Sequence, residues 1–386
     1  LYFNLLINLN LLFFFSILPL QISKYAIYIL FFLFFLVIRN YYYFKGKINI
    51  DKYRIALITL SFFVISVQVA SELELGWDAK WFWHIKSLYY TQNNTFSDLS
   101  NYVYNDFHPH LGSFFWAFFR SFSINGYEYT GRLFYIFYYI ISIHFISNNI
   151  FKDKVQNTIL FIFLIVLTQK YIYFSGLQEI LIFTTLIFIS KFTLILIDEK
   201  KLIYLFLIVL CMNLLIWFKA EGIAYAMICF LIINLIMKLK IKFRLIFNLL
   251  FVCLVFFKSL IYNFFQIKIN DQPYYLEYVL NLDLETIIYK LYNILIYLSY
   301  NSLKNIILFI VPIIIILNYK KIFKEEYFRL IFIFFTLNII FIFSAYMFRE
   351  MEVVFALKTT IDRIVFASSG FYLVFLIIHA KKYLRL

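Results

Sequence analysis

Residues 109–124 read PHLGSFFWAFFRSFSI, and the fold turns on whether this stretch crosses a membrane. It is apolar, but it is short and carries Arg120. Counted as a span, it would move every later loop to the opposite side. Kept out of the count, as an interfacial or re-entrant helix, it leaves the basic loops of the whole chain on one side. The second reading is adopted, because the loops on either side of it alternate in charge.

The chain has 386 residues, of which 64% are hydrophobic, with only 8 Gly and 4 Pro. Surface-to-volume scaling leaves a soluble fold no way to hide that much apolar surface. Apolar segments of about 17–25 residues, the length that crosses the hydrocarbon core, recur from end to end. The fold class is therefore all-α, a single polytopic membrane domain over residues 1–386. Phe, Tyr, Ile, Asn and Lys are all abundant together, which reads as nucleotide bias, so the 23% aromatic content carries no functional message. Cys211, Cys229 and Cys253 lie inside apolar runs without metal-ligand spacing.

The formal charge of +14 sits in short loops, so it speaks of topology and not of nucleic acid. Basic segments are KGKINIDKYR at 45–54, FKDK at 151–154, DEKK at 198–201, KLKIKFR at 238–244, YKKIFKEEYFR at 319–329 and the C-terminal HAKKYLRL. Between them lie segments poor in Lys and Arg for their length, at 72–130, 171–178, 217–222, 263–302 and 348–361. The positive-inside rule makes the first set cytoplasmic and the second extracytoplasmic. Spans are predicted at 1–20, 24–44, 55–71, 131–150, 156–172, 178–197, 202–217, 222–237, 244–262, 303–319, 329–347 and 362–379, about twelve helices. Residues 1–20 lack the basic start and small-residue cleavage site of a signal peptide and are expected to span. The expected location is the plasma (inner) membrane.

The longest outer segment, 72–130, opens with GWDAKWFWHIKS at 76–87. Trp77, Trp81 and Trp83 suit a membrane interface. Asp78, Trp81 and Ile85 share one helical face, and Trp77, Lys80 and His84 another. An amphipathic surface helix accounts for the aromatics and lysines, but not for an acid amid so much apolar surface. Other unusual polar residues fall in outer segments too. They are Glu72, Glu74, His84 and Lys86; Asp106, His108 and His110 around Pro109; Glu179; Lys219 and Glu221; and Arg349, Glu350, Glu352, Asp362 and Arg363. Singly, each has an ordinary reading: Lys219 can snorkel, Glu221 can answer a helix macrodipole, and Arg363 can pair with Asp362. Together they bring acids and bases to one rim beside an aromatic helix, where charge is costly and usually functional.

At these residues the chain resembles the GT-C superfamily of membrane glycosyltransferases. The oligosaccharyl, protein O-mannosyl and lipid A aminoarabinose transferases belong to it. GWDAKWFWHIKS resembles the acid-bearing first outer loop, NDFHPHLGSFFW its later part, WFKAEG a Lys-x-Glu-Gly stretch, and TTIDRIVFASSG a late Arg-bearing segment. The likeness covers roughly residues 55–370. It departs from the family pattern in following Pro109 with His-Leu-Gly, and in offering Glu179 where an Asp usually stands. The resemblance implies an integral membrane glycosyltransferase. A sugar would pass from a polyprenyl-phosphate donor to an acceptor hydroxyl of a glycan, lipid or protein, on the extracytoplasmic face and with inversion.

Under that resemblance Asp78 is the catalytic acid-or-base residue, with Glu179 as the second acid. Positive charge or hydrogen-bond donors for the donor phosphate come from His108, His110, Lys219 and Arg363, with Arg favoured for its planar fork. Trp77, Trp81, His84, Lys86 and Glu221 are the expected substrate or lipid contacts. No cofactor is demanded. A divalent metal is compatible with Asp78, Glu179 and the histidines, but no dense ligand spacing calls for one, and Asp106-x-His108-x-His110 reads first as a turn with phosphate contact. Two other classes compete. An O-antigen polymerase or ligase would rely on paired outer-loop Arg and His. A lipid-linked glycan transporter or flippase would show internal repeats and mid-membrane charges.

Overall fold

The computed structural model describes residues 2–43, 52–72, 74–101, 108–148, 150–169, 174–236, 240–267 and 281–383. Asp106, most of the basic segment 45–54 and residues 238–239 lie outside them. Among the described residues the chain is all-helical, without a strand. The elements are α1 (Tyr2–Ile17), α2 (Ile22–Tyr43), α3 (Lys52–Ser71), a π turn (Ala79–Trp83), α4 (His84–Thr91), a 3-10 turn (Phe96–Asn101), α5 (Leu111–Arg120), α6 (Tyr129–Ser147), α7 (Lys154–Gln169), α8 (Glu179–Glu199), α9 (Leu202–Phe218) and α10 (Glu221–Ile236). There follow α11 (Ile241–Phe264), α12 (Leu284–Lys304), α13 (Ile306–Leu317), α14 (Tyr319–Ile322), α15 (Glu326–Met347) and α16 (Val353–Tyr383).

Five of these helices are long and apolar enough to cross a membrane: α3, α8, α11, α15 and α16. The pair α12 and α13 makes a sixth if taken as one broken span. These helices make the protein membrane-integral, because α3 and α11 leave most of their apolar surface outside the protein core, where only lipid would cover it. Four further apolar helices, α1, α7, α9 and α10, are shorter.

The core is built around α8, which is apolar on all sides and buried along nearly its whole length. It packs on α9, α6 and, most extensively, α16. Gly370 permits the last contact: a Cβ there would lie 2.1 Å from the Phe183 carbonyl oxygen, so only glycine lets the two backbones meet. Ser190 then donates to the Phe371 carbonyl across the same seam. The N-terminal segment joins this core. Asn213 of α9 donates to Asn10 of α1 at 2.8 Å, and Phe13 packs on Trp217.

Four expectations need correction. The stretch 109–124 forms α5, whose ten residues rise only about 15 Å, half the hydrocarbon thickness. However, Leu111–Phe118 are all buried and α5 is enclosed by α1, α2, α4, α6 and α9, which removes the interfacial alternative and leaves the re-entrant one as an expectation. Residues 284–302, read as outer loop, are helix α12. Tyr, Asn and Lys along one face dilute its hydropathy below that of a lipid-facing span. The span expected at 303–319 is in fact the end of α12 and all of α13, bent by 102° where Asn305 caps α13 through the amides of Ile307 and Leu308. Finally, α16 begins at Val353, nine residues before its predicted start at 362, because Glu352 caps it through the amides of Val354 and Phe355.

Candidate active site

Three carboxylates stand at helix starts. Asp78 precedes the π turn, Glu179 opens α8 and Glu221 opens α10. The positive end of each α-helix macrodipole favours an acid in its first turn. Local structure brings these starts together. The Gly76 amide donates to the Ser175 carbonyl at 3.0 Å, tying the loop before Asp78 to the turn before Glu179. Gly176, at φ +88°, passes under Trp116 and against Ala79, where a Cβ would lie 2.4 Å from the indole. Gly222 lets α10 start against the Leu215 carbonyl of α9, at a distance that excludes any Cβ.

Two cations link the acids into one chain. Arg363 of α16 donates from Nη1 to Asp78 Oδ2 at 2.5 Å, and its Nε stands 3.5 Å from Glu179 Oε1. Lys219, between α9 and α10, donates to the same Glu179 oxygen at 2.8 Å and stands 3.1 Å from Glu221 Oε1. The order is Asp78, Arg363, Glu179, Lys219, Glu221, alternating in sign. Side-chain exposure is lowest in the middle, 3% for Glu179, and highest at the ends, 22% for Asp78 and 26% for Glu221. A ligand therefore meets the ends of the chain first. Burial works against the charge on Lys219, yet the Glu179 and Glu221 carboxylates outweigh it and hold its pKa above the ordinary lysine value. Glu179 Oε2, Glu221 Oε2 and Arg363 Nε are buried without a hydrogen-bond partner among the described residues. Such atoms are rare in folded proteins and mark places where a ligand or water belongs.

Five of the sequence-predicted residues thus converge from four separate parts of the chain: Asp78, Glu179, Lys219, Glu221 and Arg363. The others fall elsewhere. Trp77, just before the π turn, and Trp81 within it are 65% and 45% exposed, with Lys80 over the Trp81 ring. His84 packs on Trp116, and burial, helped by Arg120 and Arg132, lowers its pKa to about 4. Lys86 is buried and donates to the His108 carbonyl. His108 is lowered to about 3 by burial and by Lys86, Lys219 and Lys258, and packs on Phe82 and Trp83. His110 is buried, shares a hydrogen bond with Ser16 at 2.8 Å and packs on Trp217. Burial lowers its pKa far below the usual histidine range. All three histidines are neutral at pH 7, so they offer hydrogen bonds but no charge to a phosphate. Among the described residues, no three His, Cys, Asp or Glu side chains gather as a metal site requires.

Arg132 was not anticipated. Buried in α6, it donates to Glu128, to the Phe174 carbonyl at 3.0 Å and to the Glu72 carbonyl. It therefore clamps both loops that carry Asp78 and Glu179. Its signal was an Arg four residues after a Glu at the mouth of an apolar run, EYTGR at 128–132. Lys258, in the apolar run of α11, was also passed over. It donates to the Ile216 carbonyl and lies over the Trp217 and Tyr262 rings.

Comparison with protein-family models, with curated proteins and with solved structures returns no match.

Proposed function

We propose that the protein is a membrane glycosyltransferase taking a sugar from a polyprenyl-phosphate carrier, with the charged chain as its reaction centre. The observation that carries this reading is the ion-paired Asp78–Arg363 contact between residues 285 positions apart, at the accessible end of an otherwise buried network. The resemblance of these same segments to GT-C enzymes gives the donor class. In this reading about twelve helices span the plasma membrane. The basic loops face the cytoplasm, and Asp78, Glu221 and the exposed Trp77 and Trp81 face outward.

The chemistry follows from the charges. Three carboxylates against two cations leave the chain at −1. The starts of α8 and α10 add roughly +0.5 each, so the site is near neutral. Asp78 accepts the proton of the acceptor hydroxyl as its oxygen bonds to the anomeric carbon. The bond from that carbon to the phosphate oxygen breaks, and its electron pair leaves with the phosphate. Once protonated, Asp78 no longer neutralises Arg363. The guanidinium then keeps only Glu179, 3.5 Å away and shared with Lys219, so it is freer to meet the leaving phosphate as that gains its charge. Proton uptake and leaving-group stabilisation are thereby coupled through one ion pair. Glu179, deep in the chain, is a positioning residue that holds Arg363 and Lys219 in place. His108 and His110 are neutral donors at most.

The test is sugar transfer from a short polyprenyl-phosphate donor by the detergent-purified chain. Asp78→Asn keeps the shape of the side chain but cannot take the proton, and should lower the rate by about 10²–10⁴. Arg363→Ala should do the same. Wild-type activity in both variants would remove the assignment. The 102° break between α12 and α13 is the one observation favouring a transporter. Carrier-lipid translocation in proteoliposomes without sugar transfer would support that alternative.

A further inference from the structure

Lys258 stands where charge is costly. It lies in the apolar run FVCLVFFKSLIYNF of α11, six positions before the helix ends at Phe264. An ionisable residue within a membrane helix ordinarily serves a purpose there. A lysine near a helix end can snorkel along the lipid face toward water. This one does not. Phe251, Lys258 and Tyr262 share one face of α11, and Phe251 and Tyr262 are buried, so Lys258 is turned toward the protein. Its ammonium donates to the Ile216 carbonyl at 2.9 Å and lies 5.6 Å and 5.5 Å from the Trp217 and Tyr262 ring centres. One of its three N–H donors is thereby used. Among the described residues no carboxylate pairs with it. Burial penalises a charge without a counter-ion, and an anion beside Lys258 removes that penalty.

The surroundings of Lys258 adjoin the charged chain. His108 packs on Phe82 and Trp83 of the π turn that follows Asp78. The charges of Lys219 and Lys258 both bear on the His108 ring. Ile216, which accepts from Lys258, is three positions before Lys219. Lys258 and His108 are each half-buried, so neither is sealed from a ligand. The turn after Asp78, Lys219 and Lys258 therefore border one region around His108. Its cations are not equivalent. Arg363 and Lys219 are held by Asp78, Glu179 and Glu221, whereas no described carboxylate cancels the charge of Lys258.

The leaving group calls for such a cation. A phosphate joined to both a sugar and a lipid carries one negative charge. When the bond from the anomeric carbon to the phosphate oxygen breaks, the electron pair leaves with the phosphate, which becomes a dianion. We propose that Lys258 seats this departing phosphate, its ammonium matching the second negative charge that cleavage creates. The ligand class is a lipid-borne phosphate monoester, whose tail lies along α11, a helix that leaves most of its apolar surface to lipid. This rests on the transferase reading above, but its test needs neither sugar nor turnover, so the two can fail separately.

The experiment is calorimetric titration of the full chain in neutral detergent with citronellyl phosphate, the uncharged citronellol and inorganic phosphate. Citronellyl phosphate should bind at least about tenfold more tightly than citronellol, the factor one charge-assisted contact supplies. It should also bind at least about tenfold more tightly than inorganic phosphate, which has no tail to bury. Lys258→Met should remove most of the advantage over citronellol. Lys258→Gln, which keeps a donor for the Ile216 carbonyl but not the charge, should do the same. An unaffected Lys258→Gln variant, or equal binding of the phosphate and the alcohol, would overturn the proposal. So would inorganic phosphate bound as tightly as citronellyl phosphate, which would assign the seat to a free anion. Binding that depends on Lys258 in a chain that transfers no sugar would support the seat and remove the transferase reading.

Discussion

Replacing Lys219 with Met removes the cation that Glu179 and Glu221 share, at 2.8 Å and 3.1 Å. Methionine matches the length of the lysine stem, so packing is largely kept and the loss is electrostatic. Breaking a buried ion pair by deleting one partner costs about 3–5 kcal/mol, since the other charge is left without compensation. Here Arg363 Nε still stands 3.5 Å from Glu179, which sets the expected loss near the lower end, about 3 kcal/mol. Neutralising the stranded acid should restore most of it. The double variant Lys219→Met/Glu179→Gln is expected within about 1 kcal/mol of wild type, a coupling of about 2 kcal/mol or more. Equilibrium unfolding in mixed detergent and SDS measures all four corners of the cycle. Additive losses, or a single variant within about 0.5 kcal/mol of wild type, would show that Glu179 does not depend on Lys219. The pH dependence has a definite sign. The folded pKa of Lys219 lies above its unfolded value of 10.5, so its contribution is complete below pH 10.5 and is lost only as pH rises through the higher folded value.

Three further outcomes follow from the geometry. Gly370→Ala places a methyl 2.1 Å from the Phe183 carbonyl and should destabilise by about 1–3 kcal/mol while loosening the Arg363–Asp78 contact, read from unfolding and transfer rate together. Arg132→Gln should leave global stability less affected than the turn around Phe174 and Glu72, whose amides should exchange faster by hydrogen–deuterium mass spectrometry. His84 and His108 have folded pKa values of about 4 and about 3, below the ordinary 6.5, so the unfolded chain takes up their protons first. Stability should be full above pH 6.5 and decline as pH falls toward 4 and then 3; a melting temperature unchanged between pH 7 and 4 would contradict the burial of these rings.

Much of this arrangement was legible in the sequence, and the physical reason differs for each part. Long apolar runs can only be helices in a membrane, so the order of elements followed from their length. Charges at the ends of such runs are costly, which made Asp78, Glu179, Lys219, Glu221 and Arg363 conspicuous before any contact was known. Their pairing was not legible, because it depends on α8 meeting α16 at Gly370 and on Gly76 bonding Ser175, contacts between distant segments. Helix α12 was missed because Tyr, Asn and Lys recur along it, and polar side chains on a helix lower hydropathy as a loop does. The histidines were expected at the phosphate, but the same aromatic density that made their segment look interfacial buries them. Arg132 went unnoticed because its role is to hold backbone carbonyls, which no side-chain motif announces.

The reading turns on which side of the membrane the aromatic turn before the charged chain faces. In a cysteine-free background, Trp77→Cys and Lys200→Cys should be compared with a membrane-impermeant maleimide on intact cells. Both positions are exposed, so each reports its own side. Labelling of Cys at 77 in intact cells, and of Cys at 200 only after permeabilisation, is the predicted result. The reverse pattern would put Asp78 in the cytoplasm, away from the outer face, and contradict the account.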